Sequence, residues 1–229
     1  MIYIEGLQKV TLLDFPKKVA CTIFTKGCNF NCSFCQNSSL IPCDKGKISE
    51  AEIFEYLNKR KNILDGVVIT GGEPLVQKDI KCFIKKIKDL GLLVKLDTNG
   101  SNPKVLKELI DENLIDYVAM DIKNIFLKYK MTVGKNVLLK NIEESINILK
   151  NSNIDYEFRT TIVKELHTID DLRKICEYIG NKCKYYLQNF EDSDDVINHS
   201  LHGFSHDELL MINDNLKGSF PNMEIRALS

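Results

Sequence analysis

Apolar residues along the chain gather into short runs spaced about 25–40 residues apart over most of its length. Residues 19–24, 66–70, 92–97, 117–122, 156–163 and 185–190 are such runs, bounded by Gly, Asn and charged residues. That is the pattern of buried strands. A seventh run covers 223–228. Between the runs, apolar positions change to helical spacing. Ser49 and Glu52 form a capping-box pattern ahead of Ile53, Phe54 and Leu57. Ile80, Phe83, Ile84 and Ile87 follow the i, i+3, i+4, i+7 rule. Asn102-Pro103 opens a helix with the stripe Val105, Leu106, Leu109 and Ile110. Ile142, Ile146 and Leu149 mark another, and Leu172, Ile175, Cys176 and Ile179 the next. Ser205 and Glu208 cap the last, before Leu209, Leu210 and Ile212.

Strand–helix alternation implies a parallel sheet with right-handed crossovers. The fold class is α/β. Six units are too few for a closed eight-fold barrel, so a partial (βα)6 TIM-like barrel fits the count; a doubly wound sheet competes. Residues 1–18 read as a short N-terminal β extension or hairpin: Tyr3-Ile4, a turn near Gly6, then 10–13. No linker composition interrupts the chain, so residues 1–229 are expected to form one domain.

Charge narrows the function. The 229 residues hold 31 Lys and Arg against 32 Asp and Glu, a net charge of −1. That balance argues against a protein built to coat nucleic acid or an anionic membrane. No apolar run approaches the length of a membrane span. Glu5 stands early, and no basic start leads into an apolar run, so no secretory leader is read. The expected location is the cytoplasm. There, eight cysteines point to metal binding or catalysis rather than to a disulfide framework.

Three cysteines stand out. Cys28, Cys32 and Cys35 are spaced C-x3-C-x2-C directly after the first parallel strand, with Phe34 before the third. Three soft ligands in eight residues suit iron–sulfur or zinc. Structural zinc wants four ligands in paired knuckles, and the four histidines, at 167, 199, 202 and 206, lie far away in sequence. Three ligands on a four-iron cluster would leave one iron open.

The segment Gly27-Cys28-x3-Cys32-x-Phe34-Cys35 resembles the signature of radical S-adenosylmethionine (SAM) enzymes. Thr70-Gly71-Gly72-Glu73-Pro74 is similar to their second motif. The resemblance implies a [4Fe-4S] cluster on Cys28, Cys32 and Cys35, with SAM chelating the open iron. Reductive cleavage of SAM then yields a 5′-deoxyadenosyl radical that abstracts a substrate hydrogen. Gly71, Gly72, Glu73 and Pro74 would bind the SAM amino end. The glycines would let backbone approach a ligand, and Glu73 would accept from the ammonium. Asp97, Thr98, Asn99, Asp121 and Lys123 resemble motifs of glycyl-radical-enzyme activases, which implies contacts with SAM and a monovalent cation. Arg159 is a candidate clamp for the SAM carboxylate; a structural arginine is the alternative. No side chain is assigned as catalytic, since cluster and SAM carry the chemistry. Cys28–Cys35, residues 71–74, Asp97–Gly100, Asp121–Lys123, Arg159 and Gln188-Asn189 all fall in or after strands. Parallel α/β folds gather their sites at the carboxyl ends of strands.

Cys21, Cys43, Cys82, Cys176 and Cys183 show no ligand spacing and read as buried thiols. His199, His202 and His206 share a polar stretch with Asp192, Asp194 and Asp195 and read as solvated.

The opening segment 6–16, the run Thr22–Cys28 and Cys35-Gln36-Asn37 resemble anaerobic ribonucleoside-triphosphate reductase activating proteins; Gln36 replaces a histidine of that pattern. The resemblance implies an activase that makes a glycyl radical on a partner enzyme, with flavodoxin or ferredoxin as electron donor. Nucleic acid and membrane are not expected partners. Alternatives are a pyruvate formate-lyase-type activase, a small-molecule radical SAM enzyme such as a deazapurine synthase, and a non-catalytic iron–sulfur or zinc module.

Overall fold

A computed structural model describes residues 2–226. Strands form at Ile4–Thr11 (β1), Ala20–Thr25 (β2), Gly66–Gly71 (β3), Leu93–Thr98 (β4), Tyr117–Asp121 (β5), Asp155–Ile162 (β6), Tyr185–Asn189 (β7) and Met223–Ile225 (β8). Helices form at Glu50–Arg60 (α1), Ile80–Asp89 (α2), Pro103–Asp111 (α3), Phe126–Val133 (α4), Leu139–Lys150 (α5), Ile169–Ile179 (α6) and His206–Leu216 (α7). Residues 227 and 228 of the seventh apolar run lie outside the described residues.

The eight strands form one sheet in the order β1 to β8. β2 through β8 pair in parallel, and β1 pairs with β2 antiparallel. Sequential order has no switch point, so the doubly wound alternative is excluded. Among the described residues no ladder joins β8 to β1. The result is an open, partial barrel.

Most residues of the helix stripes are buried as the spacing predicts; Phe54, Val105 and Ile110 are half-buried, and Leu210 of the last helix is exposed. Ile53 and Leu57, all four residues of the α2 stripe, and Leu106 and Leu109 are buried, as are Ile142, Ile146 and Leu149, and Leu172, Ile175, Cys176 and Ile179. Both predicted capping boxes are made, at Ser49–Glu52 and Ser205–Glu208. A third, Thr168 with Asp171, was not foreseen. α4 was not foreseen either: it buries only Tyr129, Thr132 and Val133, so it lacks a full apolar stripe. No helix among the described residues is long and apolar enough to cross a membrane.

The N-terminal segment is a β extension, the first of the two expected forms: residues 4–11 run as a single strand on the edge of the sheet, antiparallel to β2, so the turn near Gly6 and a hairpin within residues 1–18 are corrected. Gly6 lies opposite Phe24, where an added Cβ would touch the ring at 3.5 Å. That is ordinary contact, so neither a turn nor a close approach requires glycine at this position.

The barrel interior is unusual for its polarity. Side chains alternate along strands, and the inward set is Lys95 and Asp97 on β4, Tyr117 and Asp121 on β5, Glu157 and Arg159 on β6. At the N-terminal end of the strands, Phe15 closes the lumen. It packs in a small cluster with Ala20, Val68 and Tyr117, its ring centroid 6.2 Å from that of Tyr117. Above that plug the interior carries charge, not a layered apolar core.

Candidate functional site

The cysteine loop leaves the C-terminal end of β2 and is tied down on both sides. Gly27 N–H donates to Leu40 O at 2.7 Å and Cys28 N–H to Ile41 O at 3.0 Å. Asn31 N–H donates to Val133 O on α4 at 2.9 Å. Phe30 and Phe34 are buried, and the Phe30 ring meets Tyr129 edge-on at 6.5 Å. With these aromatic residues anchored, the three thiols of the loop face one cavity.

That cavity has a volume of about 220 Å³ and lies at the C-terminal ends of the strands. Cys28, Cys32, Cys35, Gly71, Gly72, Glu73, Asp97, Thr98, Asn99, Asp121, Lys123 and Arg159 all line it. Pro74 does not. It is buried as the first residue of a short 3-10 turn, Pro74–Val76, where its fixed φ suits a helix start. Gln188 and Thr70, both noted from sequence, line the cavity, as does Thr161, which was not singled out. A larger open cleft of about 960 Å³ lies between α3 and α5. Its lining includes Ile115, Asp116 and Asp155, at the N-terminal ends of β5 and β6, away from the cysteines.

Gly71 and Gly72 serve a purpose beyond ligand approach. Gly71 has φ +113°, and its Cβ position overlaps the Thr25 backbone. A Cβ on Gly72 would overlap the Gly27 carbonyl oxygen and stand 3.0 Å from Leu40 O. The two glycines let the β3 end lie directly against the cysteine loop, with Gly72 N–H donating to Thr25 O and Glu73 N–H to Gly27 O.

Glu73 is 1% exposed. Its Oε1 accepts from Thr98 Oγ1 at 2.7 Å and Leu75 N–H at 3.0 Å, and its Oε2 from Asn99 N–H at 2.6 Å. It therefore joins the β3 and β4 ends from within. Burial pushes its carboxyl up to about 7 against the opposing pull of these donors. Asn29 of the cysteine loop accepts from Asn99 Nδ2 at 2.9 Å, so the loop and the β4 end are stitched together as well.

A charged chain crosses the cavity floor. Arg159 Nε donates to Asp121 Oδ1 at 2.9 Å, and its Nη1 to Asp97 Oδ2 at 3.2 Å. Lys123 Nζ bonds Asp121 Oδ2 at 3.0 Å, and buried Lys95 bonds Asp97. Burial alone would push the Asp121 carboxyl up, but Arg159 and Lys123 hold it well below the usual carboxylate range. Asp97 is likewise held down, against burial, by Arg159 and Lys95. Three cations thus surround two carboxylates.

Two buried groups behind the floor were missed from sequence. Tyr129 Oη accepts from Lys123 N–H at 3.3 Å. His167, 2% exposed, has Nε2 at 2.9 Å from Lys123 O, while its Nδ1 accepts from Val163 N–H at 3.1 Å. Since Nδ1 accepts, Nε2 carries the proton and donates to Lys123. No spacing rule marks such a residue; only the fold brings it to β5.

The remaining cysteines divide. Cys21, Cys176 and Cys183 are buried, as expected. Cys43 and Cys82 are exposed, which corrects the reading of all five as buried thiols. His199 and His202 are exposed and pair with Asp192 and Glu165, each at 2.8 Å.

Burial pushes the Cys28 thiol up to about 12 and the Cys32 thiol to about 11, so binding a metal group must displace their protons. Among the described residues no three Cys, His, Asp or Glu side chains are gathered to hold a single metal ion. A tetrahedral zinc site needs its thiolates about 4 Å apart. Three thiols lining one cavity are the soft donor set that an iron–sulfur cluster takes.

Comparison with known proteins gives the family. A protein of Methanocaldococcus jannaschii described as a candidate glycyl-radical enzyme activating enzyme is 36% identical over 200 residues, covering 83% of this chain and 81% of that protein. A GTP 3′,8-cyclase of Campylobacter jejuni is 25% identical over 196 residues, covering 82% of this chain and 60% of its own length. The crystal structure of a radical SAM methyltransferase from Sphaerobacter thermophilus shares the fold at a TM-score of 0.73 and 13% identity, over 95% of this chain and 68% of that one. The family model of the radical SAM superfamily matches residues 22–179, from β2 through α6. With the cysteine loop, the Gly71–Pro74 segment and the open parallel barrel all within or framing that match, the chain belongs to the radical SAM superfamily.

Proposed function

We propose that this protein is a glycyl-radical-enzyme activase. The observation that carries the reading is the convergence of the three thiols of one loop and the Asp97–Arg159–Asp121–Lys123 network on one cavity. Membership in the superfamily implies a [4Fe-4S] cluster and SAM. Cys28, Cys32 and Cys35 would hold the cluster, leaving one iron open. When bound, the cluster supplies the electron that cleaves the SAM sulfonium to methionine and a 5′-deoxyadenosyl radical, which takes a hydrogen atom from a glycine Cα.

The chain's own share is binding and exclusion. Arg159 engages Asp121 and Asp97 through Nε and Nη1, which leaves Nη2 for the SAM carboxylate. Lys123 presents a second cation on the same floor. Gly71 and Gly72 expose backbone to the SAM amino end. Glu73 is assigned to bracing β3 against β4, with its two oxygens already accepting three hydrogen bonds. Asp97 and Asp121 each already face two cationic side chains, so the reading includes no monovalent cation there.

The activase reading draws support from the Methanocaldococcus relative, which matches over most of both chains. The cyclase relative is less similar and matches 60% of its own length, which keeps a small-molecule substrate as second reading. Anaerobic ribonucleoside-triphosphate reductase is the first partner to test. The segment 6–16 that suggested it forms the edge strand and the Phe15 plug at the far end of the barrel. It therefore supports the fold more than the choice of partner.

The test is anaerobic reconstitution, reduction with dithionite, and addition of SAM and the partner enzyme. A glycyl-radical resonance on the partner is expected. SAM cleavage without such a resonance on any glycyl-radical enzyme of the source would reject the activase reading and favour a small-molecule substrate.

A further inference from the structure

The radical reaction consumes one electron per SAM, and this electron must come from outside the chain. One surface beside the cysteine loop is built differently from the rest. Between Asp121 and Glu143 the sequence holds five lysines and no acidic residue. Lys123 and Lys128 are paired with Asp121 and Asp171. Lys130 and Lys135 are exposed and pair with no acidic side chain among the described residues. They flank three large apolar side chains turned to solvent: Leu127 is 90% exposed, Met131 65% and Leu138 72%. Leu127, Lys130, Met131 and Lys135 line a shallow open groove.

This groove abuts the cysteine loop. Gly134, on its floor, has φ +65° and no room for a Cβ because Asn31 O lies against it. Val133 O accepts from Asn31 N–H. Asn31 lies between Cys28 and Cys32. The other flank of the loop has the opposite charge: residues 191–195 include Glu191, Asp192, Asp194 and Asp195, and Gln36 of the loop donates to Glu191 O at 2.8 Å. An acidic protein approaching the loop is repelled from one side and drawn to the other.

Resting on the reading given above, we propose that the α4 groove docks an acidic one-electron carrier protein, seating its reduced cofactor against the cysteine loop. Exposed apolar side chains ringed by unpaired lysines match an acidic protein face with an apolar centre. The groove offers no aromatic platform of the kind that stacks bases. The step is simple in balance: the carrier loses one electron, the cluster gains it, and no bond forms.

Reduced flavodoxin serves as the probe carrier, with dithionite as a small reductant that needs no docking. In the Lys130→Glu/Lys135→Glu protein, cluster reduction by flavodoxin at low salt is expected to slow at least 10-fold, while dithionite-driven SAM cleavage stays unchanged. Wild-type reduction by flavodoxin should slow with added salt. Leu127→Ser/Met131→Ser should weaken binding of oxidised flavodoxin to the cluster-free chain, measured by calorimetry, without changing the salt dependence. Flavodoxin reduction at the wild-type rate in both variants would overturn the proposal. So would normal reduction coupled with lost radical transfer to a glycyl-radical enzyme, which would give the groove to the substrate protein. If wild-type protein with dithionite fails to cleave SAM, the activase reading fails by itself, and the calorimetry still decides the groove.

Discussion

Glu73 shows how much one buried side chain decides. It sits between two loops, and its carboxyl is pushed up to about 7 from an ordinary value of 4.5. Between those values the folded protein keeps a proton that the unfolded chain has lost. Stability from this group is therefore fully present below about pH 4.5 and falls as pH rises towards 7, by about 3 kcal/mol. Urea unfolding of the cluster-free protein across that range should show the decline. Glu73→Gln should abolish this part of the slope. It should also cost roughly 1–3 kcal/mol, because an amide NH₂ facing Asn99 N–H leaves a donor without an acceptor. His167 acts on the cavity at one remove, through the Lys123 carbonyl. His167→Phe removes that donor and frees Lys123 to shift. The expected outcome is a roughly 10-fold rise in the KM for SAM with kcat of SAM cleavage little changed, equivalent to about 1.4 kcal/mol of binding. His167→Asn, which keeps a donor, should recover part of the loss. At the cysteines, Cys32→Ala should load substantially less iron on reconstitution and lose SAM cleavage; full cleavage in that protein would reject the ligand assignment.

Among the elements, the contact between β3 and the cysteine loop carries the most consequence. It depends on the absence of a side chain at Gly72, since a Cβ there would stand 2.7 Å from the Gly27 carbonyl carbon and overlap its oxygen. Gly72→Ala must push the two loops apart. The expected result is a folded protein, by far-ultraviolet circular dichroism, that holds less cluster and binds SAM weakly. The sequence made the helices legible because amphipathic spacing and caps are local: Ser49 with Glu52 and Ser205 with Glu208 cap as read. It hid α4, which packs through Tyr129 against Phe30 of another element and carries exposed Leu127 and Met131 where a stripe would be sought. It also misled at Gly6, which lies inside a continuous strand opposite Phe24 rather than in a turn.

At the scale of the whole molecule, the cavity is assembled from the ends of six parallel strands, β2 to β7, in an open sheet. A ligand that touches several of those ends ties them together. SAM at 100 times its Kd should therefore stabilise the cluster-loaded protein by about 2.7 kcal/mol, raising the Tm by roughly 5–10 °C. A thermal melt checks this, and the Cys32→Ala protein should show little shift. The open barrel also explains how an internal charge network coexists with a stable fold. The Phe15–Tyr117 plug seals one end of the lumen, and the helices bury their stripes on the outer face. The interior is then free to hold Lys95, Asp97, Asp121 and Arg159 as neighbours.

The order and period of the elements, the cysteine spacing and the Gly71–Pro74 segment are each written in residues close along the chain, and so are legible there. Polar residues two apart in apolar strands, as in Lys95 and Asp97 or Glu157 and Arg159, likewise mark the inward face of the barrel in local sequence. Contacts across the fold are needed to set Arg159 between Asp97 and Asp121, Glu73 against β4, His167 on Lys123, and Phe15 across the end of the lumen. Those partners stand 26 to 62 residues apart for the three polar contacts to Asn99, Asp97 and Asp121. Sheet register alone brings such distant residues within bonding distance, since pairing places Asp121 opposite Arg159 and stacks the strand ends around one cavity.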